Sequence, residues 1–444
     1  MIKDNSLIVA IDFGNDEIRA VVAQSAPNER FGVQILQQSV KSCSGIRRGE
    51  IEDVGKVAYG LSELIKTLRI KNRNVICCVT VAGVSLQTQR NIKQFDARGG
   101  KMSVTSQVID QLERKAKDDV RNSLDDGLQI IDSRIVQYVM DQISTTYKRP
   151  VGTTFMRLEA TFIVTIVRQS ILSSICQSFM TPEFPRPEYY RGTTAMKGVV
   201  LLSDKEKEEG VALVDLGAQT VGVAVYCNGQ LFYESYIPFG CESITNDISY
   251  GFNISADKAE KLKRVGYRKN ANCGPLSVMV DNAEIEIDNA AKLNFVIVAR
   301  LRELATYVGA EIYNSSKLNM ILSVKLTGGG ARMPGVSEIF SMVLGKDTSV
   351  ATVDNPPLGD KEFQQFAACI GLASDIATTL NEKQQEDAVL FPAEEEKNEE
   401  ESQQPKPEEV PNAGVKSKGK NLKQSLFDRL ADAFGGQEGS NFEE

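Results

Sequence analysis

Apolar and polar positions follow the same pattern in two stretches of this chain. The stretches read LIVAIDFGNDEIRAVVAQ and GVALVDLGAQTVGVAVYCNG, and in each an apolar run turns at Asp-Xaa-Gly into a second apolar run. This pattern predicts a β-hairpin rather than the strand and helix of a Rossmann or Walker loop. The repeat predicts a duplicated α/β lobe with two hairpins facing a cleft. Its matched pairs are Asp12 with Asp215, Gly14 with Gly217, Ile18 with Val221 and Val22 with Val225.

A third stretch, SVKLTGGGARMPGVSEIFSMVLG, predicts a strand, a glycine turn and a helix whose start is marked by Pro334. Glycine lets main-chain N–H groups approach an anion or a planar ligand closely. A carboxylate at a strand end can hold a hydrated Mg²⁺ ion. One Asp-Xaa-Gly alone is a common turn with no ligand. Three such loops in this order favour a nucleotide-binding cleft.

The composition narrows the possible chemistry. The 444 residues include no histidine, which excludes imidazole-based triads and metal sites. The net charge of −8 argues against a general nucleic-acid binder, and an acidic excess between Glu382 and Glu409 accounts for it. The eight cysteines form no C-x-x-C pair, as expected of buried thiols in a reducing cytoplasm. We predict neither a secretory signal nor a membrane-spanning helix.

The C-terminal part of the chain predicts a linker followed by an amphipathic helix. Residues 381–420 are rich in Glu, Gln, Pro and Lys, which predicts a disordered, extended tether. Residues 421–435 have a helical apolar face with basic residues before it, which favours binding to an anionic membrane. Packing on the body of the fold and docking in a partner's groove are the alternatives. The apolar face consists of Leu422, Leu426, Phe427, Leu430 and Phe434.

Several stretches resemble one protein superfamily. AIDFGNDEIRAVV and LVDLGAQTVGVAVY resemble the two phosphate loops of the actin/Hsp70/sugar-kinase superfamily, and LTGGGARMPGV resembles its adenosine loop. Within it, SGIRRGEIEDV, YESYIPFGCESITNDISYGFNISADKAEKLKRVGY and VIVARLREL resemble the FtsA family of bacterial cell-division proteins. The resemblance covers about residues 6–380. It implies an α/β, actin-like (ribonuclease H-like) two-lobed fold with an inserted subdomain called 1C.

The resemblance also implies a division into subdomains. Lobe 1 (1A) takes residues 1–82 and 160–195, and 1C takes residues 83–159 between them. Lobe 2 (2A) takes residues 196–245 and 305–380, with subdomain 2B inserted at 246–304.

ATP and Mg²⁺ are the ligands that the resemblance implies. Loop 1 departs from the family pattern in having Asn15, Asp16 and Glu17 after Gly14, and two carboxylates beside a triphosphate repel it. In loop 2, Ala218 and Gln219 restrict the backbone where the family has glycines. We expect ATP binding with slow or negligible hydrolysis, and Asp12, Asp215 and Gln219 are the candidates for positioning water. The implied contacts are Asp12, Gly14, Asn15, Asp16 and Arg19, then Asp215, Gly217, Ala218, Gln219 and Thr220, then Gly328, Gly329, Gly330 and Arg332, with Mg²⁺ held by Asp12 and Asp215 mostly through water.

The family further implies a division protein that polymerises on the cytoplasmic face of the bacterial inner membrane at mid-cell. It would anchor filaments of the tubulin-like protein FtsZ there and recruit later division proteins through residues 83–159. Arg300 and Glu303, one turn apart on a predicted helix, are implied contacts for the acidic C-terminal peptide of FtsZ or for the nucleotide ribose. Arg302 is read as part of a solvated face. A pilus-assembly scaffold and an active sugar-type kinase are the alternatives.

Overall fold

The computed structural model describes residues 6–68, 70, 74–180, 184–265, 274–280 and 283–390. The chain begins with β1 (Leu7–Phe13), β2 (Glu17–Ser25), β3 (Val33–Ser42), β4 (Ile46–Arg47), β5 (Glu50–Ile51), α1 (Val54–Thr67) and β6 (Val75–Val81). The inserted segment adds β7 (Gln87–Asp96), β8 (Met102–Ser103), α2 (Ser106–Ser123), β9 (Leu128–Met140), β10 (Ser144–Thr146), β11 (Thr154–Phe155) and β12 (Arg157–Arg168). The first lobe then ends with α3 (Gln169–Ser178) and β13 (Tyr189–Gly192), which leads into α4 (Thr193–Leu201).

The second half of the chain repeats this plan with a different insertion. It opens with α5 (Asp204–Glu209), β14 (Val211–Leu216), β15 (Val221–Cys227) and β16 (Gln230–Ile237). The insertion comprises α6 (Glu242–Phe252), α7 (Ala256–Val265), β17 (Leu276–Val280), β18 (Ala283–Ile287) and α8 (Ala290–Asn314). The lobe is completed by β19 (Ser323–Thr327), α9 (Val336–Leu344), β20 (Asp347–Val350) and α10 (Asp360–Leu390), with 3₁₀ turns at Leu318–Met320 and Gly330–Arg332.

The predicted duplication is confirmed by the topology of the two main sheets. Their strand orders are β3-β2-β1-β6-β13 and β16-β15-β14-β19-β20, and in each the first three strands are antiparallel and the last pairings parallel. The register repeats as well, because Asp12 lies opposite Arg19 and Asp215 lies opposite Gly222. Equivalent hairpins therefore end in equivalent carboxylates.

Helices α4 and α10 lie between the two sheets. Their buried side chains share one core with residues of both lobes, including Ile8 of β1 and Leu213 of β14. The two helices approach closely, since a Cβ on Gly371 of α10 would lie 1.8 Å from the main-chain oxygen of Met196 in α4. These helices are thus the mechanical connection between the lobes.

The inserted subdomain 1C is a separate four-stranded sheet in the order β10-β9-β12-β7, with α2 packed against it. Its predicted end at residue 159 is too early, because β12 pairs with β7 from Arg157 to Ile166 and with β9 from Leu158 to Arg168. The apolar run that follows residue 159 is one continuous buried strand, and its residues share that pairing. The subdomain also reaches lobe 2, where Val136 and Ile163 join the core that contains Phe232.

The last helix extends beyond the predicted start of the linker at residue 381. It runs to Leu390, since the segment after Leu380 consists mainly of helix-forming residues and the first proline follows at Pro392. The rest of the predicted linker (391–420) and the predicted helix at 421–435 lie outside the described residues. Within the described part of the chain, no helix is both long and apolar enough to cross a membrane.

Candidate functional site

The loop predicted to be the first phosphate loop joins β1 to β2, and the carboxylates at its two ends, Asp12 and Glu17, are paired with cations or hydroxyl donors of the protein. Asp12 Oδ2 accepts a hydrogen bond from Arg19 Nη1 at 3.1 Å, and Oδ1 accepts one from Thr80 Oγ1 at 2.6 Å. Arg19 Nη2 also binds Glu17 Oε2 at 3.0 Å. Glu17 is therefore neutralised, and of the two carboxylates expected to repel a triphosphate only Asp16 is exposed and without such a partner.

Arg19 is the electrostatic centre of this loop. Burial by itself would lower the pKa of Arg19, but Asp12 and Glu17 outweigh it and hold that pKa above its usual value. The guanidinium keeps one buried donor, Nε, that has no hydrogen-bond partner in the described structure. A buried donor without a partner is uncommon in folded proteins, and an oxyanion is one group that would satisfy it.

The loop predicted to be the second phosphate loop, between β14 and β15, has the same turn but a different cation. Gly217 N donates to Thr220 O at 3.1 Å, as Gly14 N donates to Glu17 O at 3.0 Å. Lys197 Nζ of α4 binds Asp215 Oδ2 at 2.6 Å and takes the role that Arg19 has in loop 1. Gly222 is required opposite Asp215, because a Cβ there would lie 2.0 Å from Thr194 Oγ1.

The expected backbone restriction in loop 2 does not arise. Ala218 and Gln219 are not among the residues with positive φ, so this turn does not need glycine at either position. The loop carbonyls are fixed instead by the start of the 2B insertion, where Glu242 N donates to Ala218 O at 2.7 Å. The side chain of Lys263 anchors the same region through Cys241 O at 3.3 Å.

The glycine turn after β19 packs directly on loop 2. Gly328 has φ +85°, and a Cβ there would lie 2.4 Å from Asp215 Oδ1. A Cβ on Gly330 would lie 2.3 Å from Cys241 Sγ. Gly329, by contrast, is exposed and faces open space, and Arg332 is also exposed. Two of the three glycines thus serve close packing, and Gly329 offers the accessible surface.

A short hairpin connects the two loops. We call residues Ile46–Ile51, which form β4, β5 and the turn between them, the strap. Arg48 N donates to Gln219 Oε1 at 2.9 Å in loop 2. Gly49 N donates to Asn15 Oδ1 at 3.3 Å in loop 1. The structure therefore brings the predicted loop residues of both lobes to one place.

The donor set suits a nucleotide better than a directly bound metal. No group of three or more metal-binding side chains occurs among the described residues, and each candidate Mg²⁺ carboxylate has a protein cation beside it. A hydrated ion contacting Asp12 and Asp215 through water fits this arrangement. Sequence reasoning missed Thr80, Lys197 and the strap amides, because these groups come from segments far from the loops they contact.

Arg300 and Glu303 lie together on α8, as their spacing predicts, but they are engaged with each other. Arg300 Nε and Nη2 bind the two oxygens of Asp247 at 2.7 and 3.0 Å, and Nη1 binds Glu303. The hydrogen bond to Asp247 is the main reason that the pKa of Arg300 lies above its usual value. These contacts are with α6 and α8, and none of them is with the phosphate loops.

Comparison with known proteins gives consistent results. A family model described as cell division protein FtsA matches residues 212–371. The chain is 23% identical to cell division protein FtsA of Borreliella burgdorferi over 83% of this chain and 90% of that protein. It is 23% identical to the Bacillus subtilis FtsA over 84% of each chain. These matches confirm the resemblance to the FtsA family.

Solved structures bear on the fold alone. The chain is similar to a chain of a PilM-PilN type IV pilus biogenesis complex, with a TM-score of 0.56 and 13% identity over 82% of this chain and 97% of that one. This likeness supports the actin-like, two-lobed α/β architecture.

Proposed function

We propose, from the premise that the chain is related to the FtsA family of cell-division proteins, that it is an ATP-binding polymer subunit. It would assemble on the cytoplasmic face of the inner membrane at mid-cell, attach FtsZ filaments there and recruit later division proteins through 1C. The observation that carries the proposal is the pair of equivalent hairpins, ending in Asp12 and Asp215, joined at their tips by one strap.

The proposed ATP phosphates lie between the two hairpin loops. The Arg19 guanidinium and the loop amides would face phosphate oxygens, and Asp12 and Asp215 would hold hydrated Mg²⁺, which would shield the charge of the phosphates. Each candidate for positioning water is already engaged: Asp12 by Arg19 and Thr80, Asp215 by Lys197, and Gln219 by Arg48 N. This engagement supports slow or negligible hydrolysis.

The nucleotide site is tested by placing an anion at Gly329. A side chain fits there without collision, so Gly329→Glu should fold normally and weaken binding of a fluorescent ATP analogue by more than about tenfold through charge repulsion. Gly359→Glu is the matched control, because Gly359 also has open space around it and precedes α10. Equal affinity of the two variants would refute the location of the site.

The membrane role is proposed from the sequence of residues 421–435, which lie outside the described structure. A single amphipathic helix binds lipid weakly, so polymerisation would raise the affinity by avidity. The test is co-sedimentation with anionic liposomes, with and without ATP, of the full chain and of a chain ending at Lys420. We expect ATP-dependent pelleting of the full chain only. Equal pelleting of both chains would show that the C-terminal segment after Lys420 is not the membrane anchor.

The FtsZ contact is proposed at Arg300 and Glu303. Since Arg300 is paired with Asp247 and Glu303, an acidic peptide would bind by competing with an internal carboxylate. Arg300→Glu should abolish binding of an FtsZ C-terminal peptide in fluorescence anisotropy. Arg302→Glu, two residues along the same helix and exposed, should leave it unchanged. If the Arg300→Glu variant still binds the peptide with wild-type affinity, this surface is not the FtsZ contact.

A further inference from the structure

The tip of the strap presents two adjacent main-chain amides to two different lobes. Arg48 and Gly49 have φ values of +51° and +78°, the left-handed pair that a tight two-residue hairpin requires. A non-glycine residue in this region is strained, so the turn is maintained by its surroundings. Those surroundings are the amide oxygens of Gln219 in loop 2 and Asn15 in loop 1.

The other side of the strap touches the neck of subdomain 1C, which we define as residues 82–86 and Arg168, where the inserted chain leaves and rejoins lobe 1. A Cβ on Gly49 would lie 2.8 Å from the main-chain carbon of Ala82, so the two segments are in tight contact. Glu50 of the strap binds Arg168, the last residue of β12, at 2.5 Å. One six-residue hairpin therefore contacts loop 1, loop 2 and both segments of the neck.

We propose that the strap is a latch that slows nucleotide release and transmits the state of the phosphate loops to subdomain 1C. Separation of the lobes at the loops must break the bond from Arg48 N to Gln219, because the strap belongs to lobe 1 and Gln219 to lobe 2. Movement of the strap then acts on the neck through Gly49 and Glu50. This inference rests on the proposed nucleotide site.

Gln219 contributes to the latch through its side chain, whose amide oxygen accepts the hydrogen bond from Arg48 N. The family pattern has glycine at this position, and glycine has no side-chain oxygen to accept the Arg48 amide. Gln219 is thus a positioning residue in this mechanism, which accounts for a long amide side chain in a phosphate loop. Asn15 has the same role toward Gly49 in loop 1.

The experiment combines stopped-flow release of a fluorescent ATP analogue with hydrogen exchange of peptides spanning 45–52 and 80–88 in the full chain. Gln219→Ala removes one hydrogen bond and should speed both analogue release and exchange of the 45–52 peptide by about fivefold. Bound ATP should protect the 80–88 peptide in the wild type and protect it less in Gln219→Ala. Gln111→Ala, an exposed glutamine on α2, is the matched control and should match the wild type.

Two further results separate the latch from a direct phosphate contact. Gln219→Glu keeps the acceptor and should leave exchange of the 45–52 peptide unchanged, while its charge weakens ATP binding. Arg168→Met cuts only the neck contact and should abolish ATP-dependent protection at 80–88 without changing ATP affinity. Release from Gln219→Ala within about twofold of the wild type would overturn the proposal.

Failure of the proposed function is distinguishable from failure of the latch. If the wild type binds no ATP, the proposed nucleotide site is wrong. The coupling of the strap to the nucleotide is then wrong as well, because neither analogue release nor ATP-dependent protection at 80–88 is observed. The strap contact is then still decided by the nucleotide-free exchange of 45–52 in the wild type and in Gln219→Ala. If the wild type binds ATP but the variants do not differ, only the latch fails.

Discussion

Asp375 of α10 holds together a largely buried ionic cluster, and removing its charge is a stringent test of that cluster. Its two oxygens accept hydrogen bonds from Arg134 Nη1 and Nη2 at 2.7 and 2.8 Å and from Arg191 Nε at 2.9 Å. Asp132 completes the group by pairing with both arginines. The cluster joins subdomain 1C, β13 of lobe 1 and the helix between the lobes.

The expected loss of stability follows from the burial of these side chains. Side-chain exposure is 10% for Asp375 and 9% for Arg191, so little water can replace a lost partner. Two arginines balance two aspartates, and Asp375→Asn leaves one positive charge uncompensated and turns an amide N–H toward guanidinium donors. Breaking a buried pair in this way costs about 3–5 kcal/mol. Replacing Asp375 and Arg134 together by Leu and Met leaves a neutral pair and should cost less than Asp375→Asn alone.

Native-state hydrogen exchange of β9 measures the effect locally, which avoids assuming two-state unfolding of a two-lobed chain. Asp96→Asn is the control, because the Asp96–Arg157 pair in the same subdomain is 60% and 42% exposed and should contribute far less than the buried cluster. Burial would raise the pKa of Asp375, but Arg134 and Arg191 outweigh it and hold that pKa below 3.8. The contribution should therefore be complete above pH 3.8 and be lost as the pH falls below it. Equal losses in Asp375→Asn and Asp96→Asn would refute this reasoning.

Two further predictions concern the junction of the lobes. Burial raises the pKa of Glu234 from 4.5 to about 7, so the folded chain retains a proton that the unfolded chain releases, and stability should fall as the pH rises from 4.5 to 7. Relative to Glu234→Gln, the wild type should lose about 3 kcal/mol over this range in denaturation curves, and parallel pH profiles would contradict the assignment. Gly371→Ala should lower the melting temperature by several degrees, because its Cβ would lie 1.8 Å from Met196 O, whereas Gly359→Ala meets no atom and should change it little. Equal melting temperatures for the two alanine variants would show that α4 and α10 can separate without cost.

The candidate site was predictable to the extent that its residues are close in sequence. The turn at Asp12 and Gly14 and its counterpart at Asp215 and Gly217 follow from local pattern, and the glycine turn after β19 was located correctly. The pairing of Asp12 with Arg19 is also local, since it follows from the register of one hairpin. The role of Gln219 was not predictable, because its partner is a main-chain amide 171 positions away.

Sequence alone determined the two hairpins and their equivalence, because the apolar runs and the Asp-Xaa-Gly spacing are properties of contiguous residues. The resemblance to the FtsA family likewise rests on motifs of contiguous residues. Tertiary structure decided which cation neutralises each carboxylate, why Gly222 and Gly328 must be glycine, and where subdomain 1C ends. These features depend on how whole elements pack: α4 brings Lys197 to Asp215, and the strap brings Arg48 to Gln219. Such contacts arise from the geometry of the assembled layers, which no local propensity encodes.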